Sequence, residues 1–123
     1  MMDSPVISII DDDPSVRKAT DGLVRSLGYR SLTFASAEDF LQSDHIDDTS
    51  CVITDVQMPG LSGVELQSEL NARGAHLPMI FITAFPEDRI RRCVLEAGAI
   101  GFLSKPFDEG VLIDYLQTAL GPP

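Results

Sequence analysis

The stretch Val6-Ile7-Ser8-Ile9-Ile10-Asp11-Asp12-Asp13-Pro14 joins five residues suited to a buried strand to three consecutive carboxylates. A strand this uniformly apolar needs cover on both faces, the condition of a parallel sheet between helices. The pattern then changes period. Asp13 has the side chain of an N-cap, and Pro14 fits the first helical position, where its missing N–H leaves nothing unsatisfied. Val16, Ala19, Leu23 and Leu27 follow on one helical stripe, and Gly28 ends it. Residues 6–28 therefore read as a strand, an acidic junction and a helix.

The same alternation recurs along the chain. Short apolar runs occupy Val6 to Ile10, Arg30 to Phe34, Cys51 to Thr54, Met79 to Thr83 and Ile100 to Ser104. Four are nearly continuous in apolar residues, whereas Arg30-Ser31-Leu32-Thr33-Phe34 alternates and reads as an edge. Ser36 caps a second helix, through about Gln42. A third follows Ser62 and Gly63, carries Val64, Leu66 and Leu70, and ends near Gly74. A fourth starts around Pro86 and shows Ile90, Cys93, Val94 and Ala97 before Gly98. The fifth begins at Asp108, packs Leu112, Tyr115, Leu116 and Ala119, and fades into Gly121-Pro122-Pro123. This succession predicts an α/β fold: a doubly wound five-stranded parallel sheet with helices on both faces.

At 123 residues the chain has the length of one domain, expected to span 1–123. With 44% hydrophobic and 23% charged residues it is globular rather than disordered in composition. Nine basic residues against 19 acidic ones give a net charge of -10. That balance excludes direct nucleic acid binding by these residues, which depends on Lys and Arg neutralising phosphates. It favours cations and basic partner surfaces. Cys51 and Cys93 lie in apolar stretches at no metal-ligand spacing and read as reduced core thiols of a cytoplasmic protein. The start, MMDSP, lacks the basic flank and apolar region of a secretory signal. No apolar run approaches the roughly 20 residues of a membrane helix. His45 and His76 stand in polar, loop-like surroundings with no assigned role.

In open parallel sheets, ligands sit outside the carboxyl ends of the strands, where strand order reverses. Those ends carry Asp11, Asp12 and Asp13 after the first strand, Asp55 after the third, Thr83 and Ala84 at the fourth, and Lys105 and Pro106 after the fifth. Asp13 is accounted for as a cap; Asp11 and Asp12 are not. If they meet Asp55, each like pair about 4 Å apart repels by about 4 kcal/mol at an effective dielectric of about 20. Positive charge must offset this. Lys105 supplies one unit, and a divalent cation the remainder. The candidate ligands are hard oxygens, which favours Mg²⁺, with Mn²⁺ as a substitute, over zinc. A carboxylate beside Mg²⁺, faced by a lysine and a threonine hydroxyl, is a set of parts for phosphoryl transfer to Asp55.

The segments ISIIDDDPSVR, CVITDVQMPGLSGVEL, MIFITAF and GFLSKPF resemble the receiver domain of bacterial two-component response regulators, most closely receivers of the FixJ-like kind. The resemblance covers essentially the whole chain and implies a flavodoxin-like strand order 2-1-3-4-5. By the resemblance, Asp55 is the phospho-acceptor, served by phosphohistidine on a sensor histidine kinase or phosphotransfer protein. Asp12 and Asp55 are metal ligands through their side chains, Gln57 through its main-chain carbonyl, and Asp11 mostly through water. Thr83 is the switch hydroxyl, Lys105 the phosphoryl-contacting lysine, and Phe102 the aromatic that swings inward when Thr83 moves. Pro106 is expected to follow a cis peptide bond. The resemblance also implies an output face on the fourth helix, fifth strand and fifth helix, used for docking or a phosphorylation-dependent homodimer. Arg89, Arg91 and Arg92 fall there, with Asp114 available opposite.

Gln57 and Phe85 stand two residues past the acceptor and the switch threonine, where many relatives have small or polar side chains. Bulky Phe85 is expected to impede the water that attacks the acyl phosphate. Two other function classes are open to these residues. A haloacid-dehalogenase-like phosphatase would use Asp11 and Asp13 as its D-x-D pair, but it needs further acidic ligands, for which Asp108 and Glu109 are at best weak substitutes, and usually a cap segment, which nothing in these residues supplies. A binding module with a vestigial acidic site is the other. Phosphoryl transfer onto Asp55, rather than turnover through Asp11, separates the receiver from the first; a response to beryllofluoride with Mg²⁺ separates it from the second.

Overall fold

A computed structural model describes residues 5–121, so the readings of Met1 to Ser4 and of Pro122-Pro123 lie outside the described residues. The elements follow in the order β1 (Val6–Ile10), α1 (Pro14–Ser26), β2 (Arg30–Phe34), α2 (Ala37–Gln42), β3 (Cys51–Asp55), α3 (Gly63–Ala72), β4 (Met79–Thr83), α4 (Asp88–Glu96), β5 (Gly101–Ser104) and α5 (Glu109–Leu120). The strands form one sheet in the order β2-β1-β3-β4-β5, and every neighbouring pair is parallel. The fold is the doubly wound one expected from the alternation. From β1 the chain steps outward to β2, then crosses back to β3 on the other side. The crevice beyond the carboxyl ends of β1 and β3 is therefore the switch point of the topology.

Alternation along the strands divides the interior into two layers. Ile7, Ile9, Ile53 and Ile82 face one side, packed with Val24 of α1 and Leu112 and Leu116 of α5. Ile10, Val52 and Phe81 face the other, against Phe40 of α2, Leu66 and Leu70 of α3, and Val94 of α4. β1, β3 and β4 are buried at every position, while β2, at the edge, is partly exposed throughout. Cys51 lies in the first layer, where burial pushes its thiol up to about 12.

Several boundaries and one stripe differ from the sequence reading. In α1, Ala19 is exposed, and the buried positions are Thr20 and Val24. Thr20 is accommodated because its hydroxyl donates to the Val16 carbonyl at 2.8 Å. β3 runs one residue further, to Asp55, and β5 begins at Gly101 rather than Ile100. α4 begins at Asp88 rather than near Pro86: neither Ala84 nor Phe85 can cap a helix there, and Glu87 is the N-cap, without a side-chain capping bond. Cys93 is exposed, contrary to its reading as a core thiol. α4 turns a narrow stripe inward, in which only Val94 is buried and Ile90 half-buried. Cys93, one residue before Val94, is rotated about 100° around the axis from it, out toward solvent.

Candidate functional site

Parallel register sets the site. Ile10 pairs with Thr54, so Asp11, just past β1, and Asp55, the last residue of β3, emerge side by side. Both are buried, whereas Asp12 is exposed. Carboxylate oxygens of Asp11, Asp12 and Asp55 lie within 4.8 Å of one another. Asp13 is turned away: its Oδ1 accepts from the backbone N–H groups of Ser15 at 2.9 Å and Val16 at 3.4 Å and caps α1.

Lys105 reaches the cluster from beyond β5. Its Nζ donates to Asp55 Oδ2 at 2.9 Å and to Asp11 Oδ2 at 3.1 Å. The Lys105 N–H donates to the Thr83 carbonyl at 2.8 Å, and the Lys105-Pro106 peptide is cis. Burial acts to lower the Lys105 pKa, but the hydrogen bonds and charges of Asp55 and Asp11 outweigh it and hold the ammonium above its ordinary value. At Asp11, burial raises the carboxyl above its ordinary value; the Asp13 N–H at 2.9 Å and Lys105 oppose this only in part, and the Asp55 charge adds to it.

The loop from β3 to α3 wraps the other side of Asp55. Asp55 Oδ1 accepts the Gln57 N–H at 3.2 Å, which sets the Gln57 backbone beside the carboxylate while its side chain stays exposed. Gly63 closes the loop by donating to the Val56 carbonyl at 2.8 Å. A Cβ at Gly63 would stand 2.2 Å from the Asp55 carbonyl oxygen, so no other residue fits this approach. Thr83 closes β4, next in the sheet to β3, and is buried; its Oγ1 accepts the Phe85 N–H at 3.1 Å. The Phe85 ring is 66% exposed beyond it. Phe102 is half-buried on β5, opposite Phe81, against the second apolar layer.

Asp11, Asp12, Asp55 and Lys105 thus meet in one pocket, with Gln57 beside Asp55. Thr83 ends the adjacent strand, and Phe102 lies on the strand after that. Three contributors escaped the sequence reading: Gly63; Arg17, whose Nη1 donates to the Asp11 carbonyl at 2.7 Å; and Glu38, whose Oε2 accepts the Leu61 N–H at 3.1 Å. Chemically the pocket offers hard anionic oxygens for a divalent cation, a buried carboxylate as nucleophile, and an ammonium for an incoming anion.

The family described as the response regulator receiver domain matches residues 7–117. The chain belongs to this family. Receivers are the signalling parts of two-component response regulators, which implies phosphorylation-dependent signalling by this one. Among curated relatives, the receiver is 40% identical to nodulation protein W of Bradyrhizobium diazoefficiens over 114 residues, covering 93% of this chain and 50% of that protein. It is 40% identical to the transcriptional regulatory protein FixJ of Azorhizobium caulinodans over 121 residues, covering 98% of this chain and 57% of FixJ. The receiver therefore spans about half the length of these relatives. Among solved structures, the response regulator StyR superposes with a TM-score of 0.88 at 39% identity, covering 96% of this chain and 60% of StyR. The structure described as FixJ-N gives 0.84 at 32% identity, covering 96% and 94%. Among the described residues, no helix is long and apolar enough to cross a membrane.

Proposed function

We propose that residues 1–123 form a single receiver domain that takes a phosphoryl group onto Asp55 from phosphohistidine on a sensor histidine kinase or phosphotransfer protein. The observation that carries this reading is the bridge from Lys105 to both Asp55 and Asp11, beside Asp12. Three carboxylates crowded at a switch point and offset by a single ammonium leave a site that gains from further positive charge. Asp12 and Asp55, the Gln57 carbonyl and, through water, Asp11 would hold Mg²⁺ or Mn²⁺. When bound, the cation neutralises charge on the phosphoryl oxygens.

In transfer, an Asp55 carboxylate oxygen attacks phosphorus. The new P–O bond forms as the P–N bond to the donor imidazole breaks, and that nitrogen keeps the electron pair and takes up a proton. Lys105 moves its hydrogen bond from the carboxylate to a phosphoryl oxygen. The Thr83 hydroxyl turns to donate to another, and Phe102 moves into the space released. The face of α4, β5 and α5, where Arg89, Arg91, Arg92 and Asp114 are exposed, then changes shape for an output partner, an output domain or a second copy. Water attack on the acyl phosphate returns the ground state, so the domain catalyses only its own phosphorylation and dephosphorylation. Such a module works in the cytoplasm. The cap bonds of Asp13 count against a phosphatase built on Asp11 and Asp13.

Beryllofluoride with Mg²⁺ tests this. Backbone NMR shifts are expected at Asp55, Thr83, Phe102 and α4 in the parent and none in Asp55→Asn. An unresponsive parent contradicts the reading.

A further inference from the structure

Glu38 sits in the first turn of α2, a helix with no residue in the acidic pocket. Ala37 and Phe40 are fully buried, and the Phe40 ring meets Phe34 edge-on at 5.2 Å, so α2 is firmly seated on the sheet. From it the Glu38 side chain crosses to the loop that follows Asp55. Oε2 accepts the Leu61 N–H, and Oε1 is buried with no hydrogen-bond partner among the described residues. A half-desolvated carboxylate is an expensive way to satisfy one amide. The expense points to a contact with a purpose beyond stability.

The loop is shaped to receive it. Gly60 has φ +78°, and a Cβ there would stand 2.1 Å from Glu38 Oε2. The glycine thus supplies both the left-handed backbone and the space that the carboxylate fills. Three other amides of the loop are satisfied locally: Gln57 N–H by Asp55 Oδ1, Ser62 N–H by Glu65 Oε1, and Gly63 N–H by the Val56 carbonyl. The Leu61 bond instead ties the loop to another element.

We infer that Glu38 is a positioning residue for phosphoryl acceptance: by holding Leu61 it fixes the loop that presents the Gln57 backbone beside Asp55. The inference rests on the receiver reading of Asp55 and deepens it. Groups behind a ligand set orient it, and losing one commonly weakens metal binding by about tenfold or more. Glu38 touches neither the acceptor nor the cation site, and acts through the loop.

The test compares Glu38→Gln, Glu38→Ala and Glu38→Asp with the parent. Gln and Ala both remove the charge, but only Gln keeps an acceptor within reach of Leu61; Asp keeps the charge on a stem too short to reach. Amide hydrogen exchange on metal-free protein is expected to quicken at Leu61 and Gln57 in the Ala and Asp variants, and to recover in the Gln variant. Mg²⁺ affinity by calorimetry is expected to fall about tenfold in the Ala and Asp variants, with rescue by Gln. Should Glu38→Ala fail to fold, the Asp and Gln pair decides the matter. Unchanged exchange and Mg²⁺ affinity in the Asp variant, or a Gln variant as impaired as Ala, overturns the inference alone. A parent that binds no Mg²⁺ overturns the receiver chemistry and the inference together.

Discussion

The Lys105 ammonium stands 2.9 Å from Asp55 Oδ2 and holds Asp11 Oδ2 at 3.1 Å on its other side. One cation therefore ties the carboxyl ends of β1 and β3 to β5, across the intervening β4. The tie is partly buried, since Lys105 keeps only 17% of its side-chain surface, so it is less screened than a surface pair.

Removing that cation leaves buried carboxylates facing each other. Lys105→Ala is expected to lower the stability of the metal-free domain by about 1–3 kcal/mol. Mg²⁺ should restore much of the loss by supplying the missing charge, while acceptance of phosphoryl groups falls. Urea unfolding in EDTA and in Mg²⁺ checks both signs; equal midpoints for variant and parent in EDTA count against the electrostatic role.

The pH dependence has a defined direction on each side. Lys105 is more basic in the fold than in the unfolded chain, so its contribution is complete below its ordinary 10.5 and lost as pH rises through the higher folded value. Cys51 acts the same way earlier: its neutral thiol favours the fold below 9.0, and that advantage drains away between 9.0 and about 12. Asp11, raised from 3.8, favours the fold only while protonated, so its ionisation opposes folding at neutral pH. Melting in EDTA is expected to show an alkaline decline beginning near pH 9.0 that Cys51→Ala shifts upward. Asp11→Asn should raise the melting temperature at neutral pH, with the gain fading as pH falls through the raised folded value and gone below 3.8.

Of the two free cysteines, Cys51 is buried and Cys93 exposed. A chromogenic disulfide reagent at mild pH is expected to titrate one thiol in the native protein and two after denaturation. Cys93→Ser should abolish the native signal. Rapid reaction of both thiols in the native state would contradict the placement of Cys51 inside the sheet.

Phe85 is 66% exposed just past β4, and its N–H is fixed by Thr83 Oγ1. The side chain lies outside the core, and it is expected to screen the acyl phosphate from water. Phe85→Ser is expected to speed loss of phosphate from Asp55 several-fold, with little change in stability. A decay rate equal to the parent's removes the screening role.

Much of this was legible in the sequence because strands buried on both faces are nearly continuous in apolar residues, and because ligand-binding side chains lie where such strands end. That rule alone points to Asp11, Asp12, Asp55 and Lys105, which the fold brings together, and to Thr83 at the end of the neighbouring strand. Other features had no such signature. Thr20 replaced Ala19 in the α1 core because a threonine hydroxyl can bond back to its own helix, an option that an apolar stripe ignores. Cys93 fell outside the narrow buried side of α4, which is set by Val94 on an otherwise largely charged helix. Glu38, Arg17 and Gly63 act through contacts with backbone groups: Glu38 with Leu61 on another element, Arg17 with the Asp11 carbonyl across the start of α1, and Gly63 tight against Asp55; no periodicity or spacing records those.

The most direct measurement is mass spectrometry of the domain after treatment with acetyl phosphate and Mg²⁺. A labile phosphoryl adduct confined to the peptide carrying Asp55, lost in EDTA and absent from Asp55→Asn, is the expected result. No adduct, or one that persists when Asp55 is replaced, would contradict the assignment of Asp55 as acceptor.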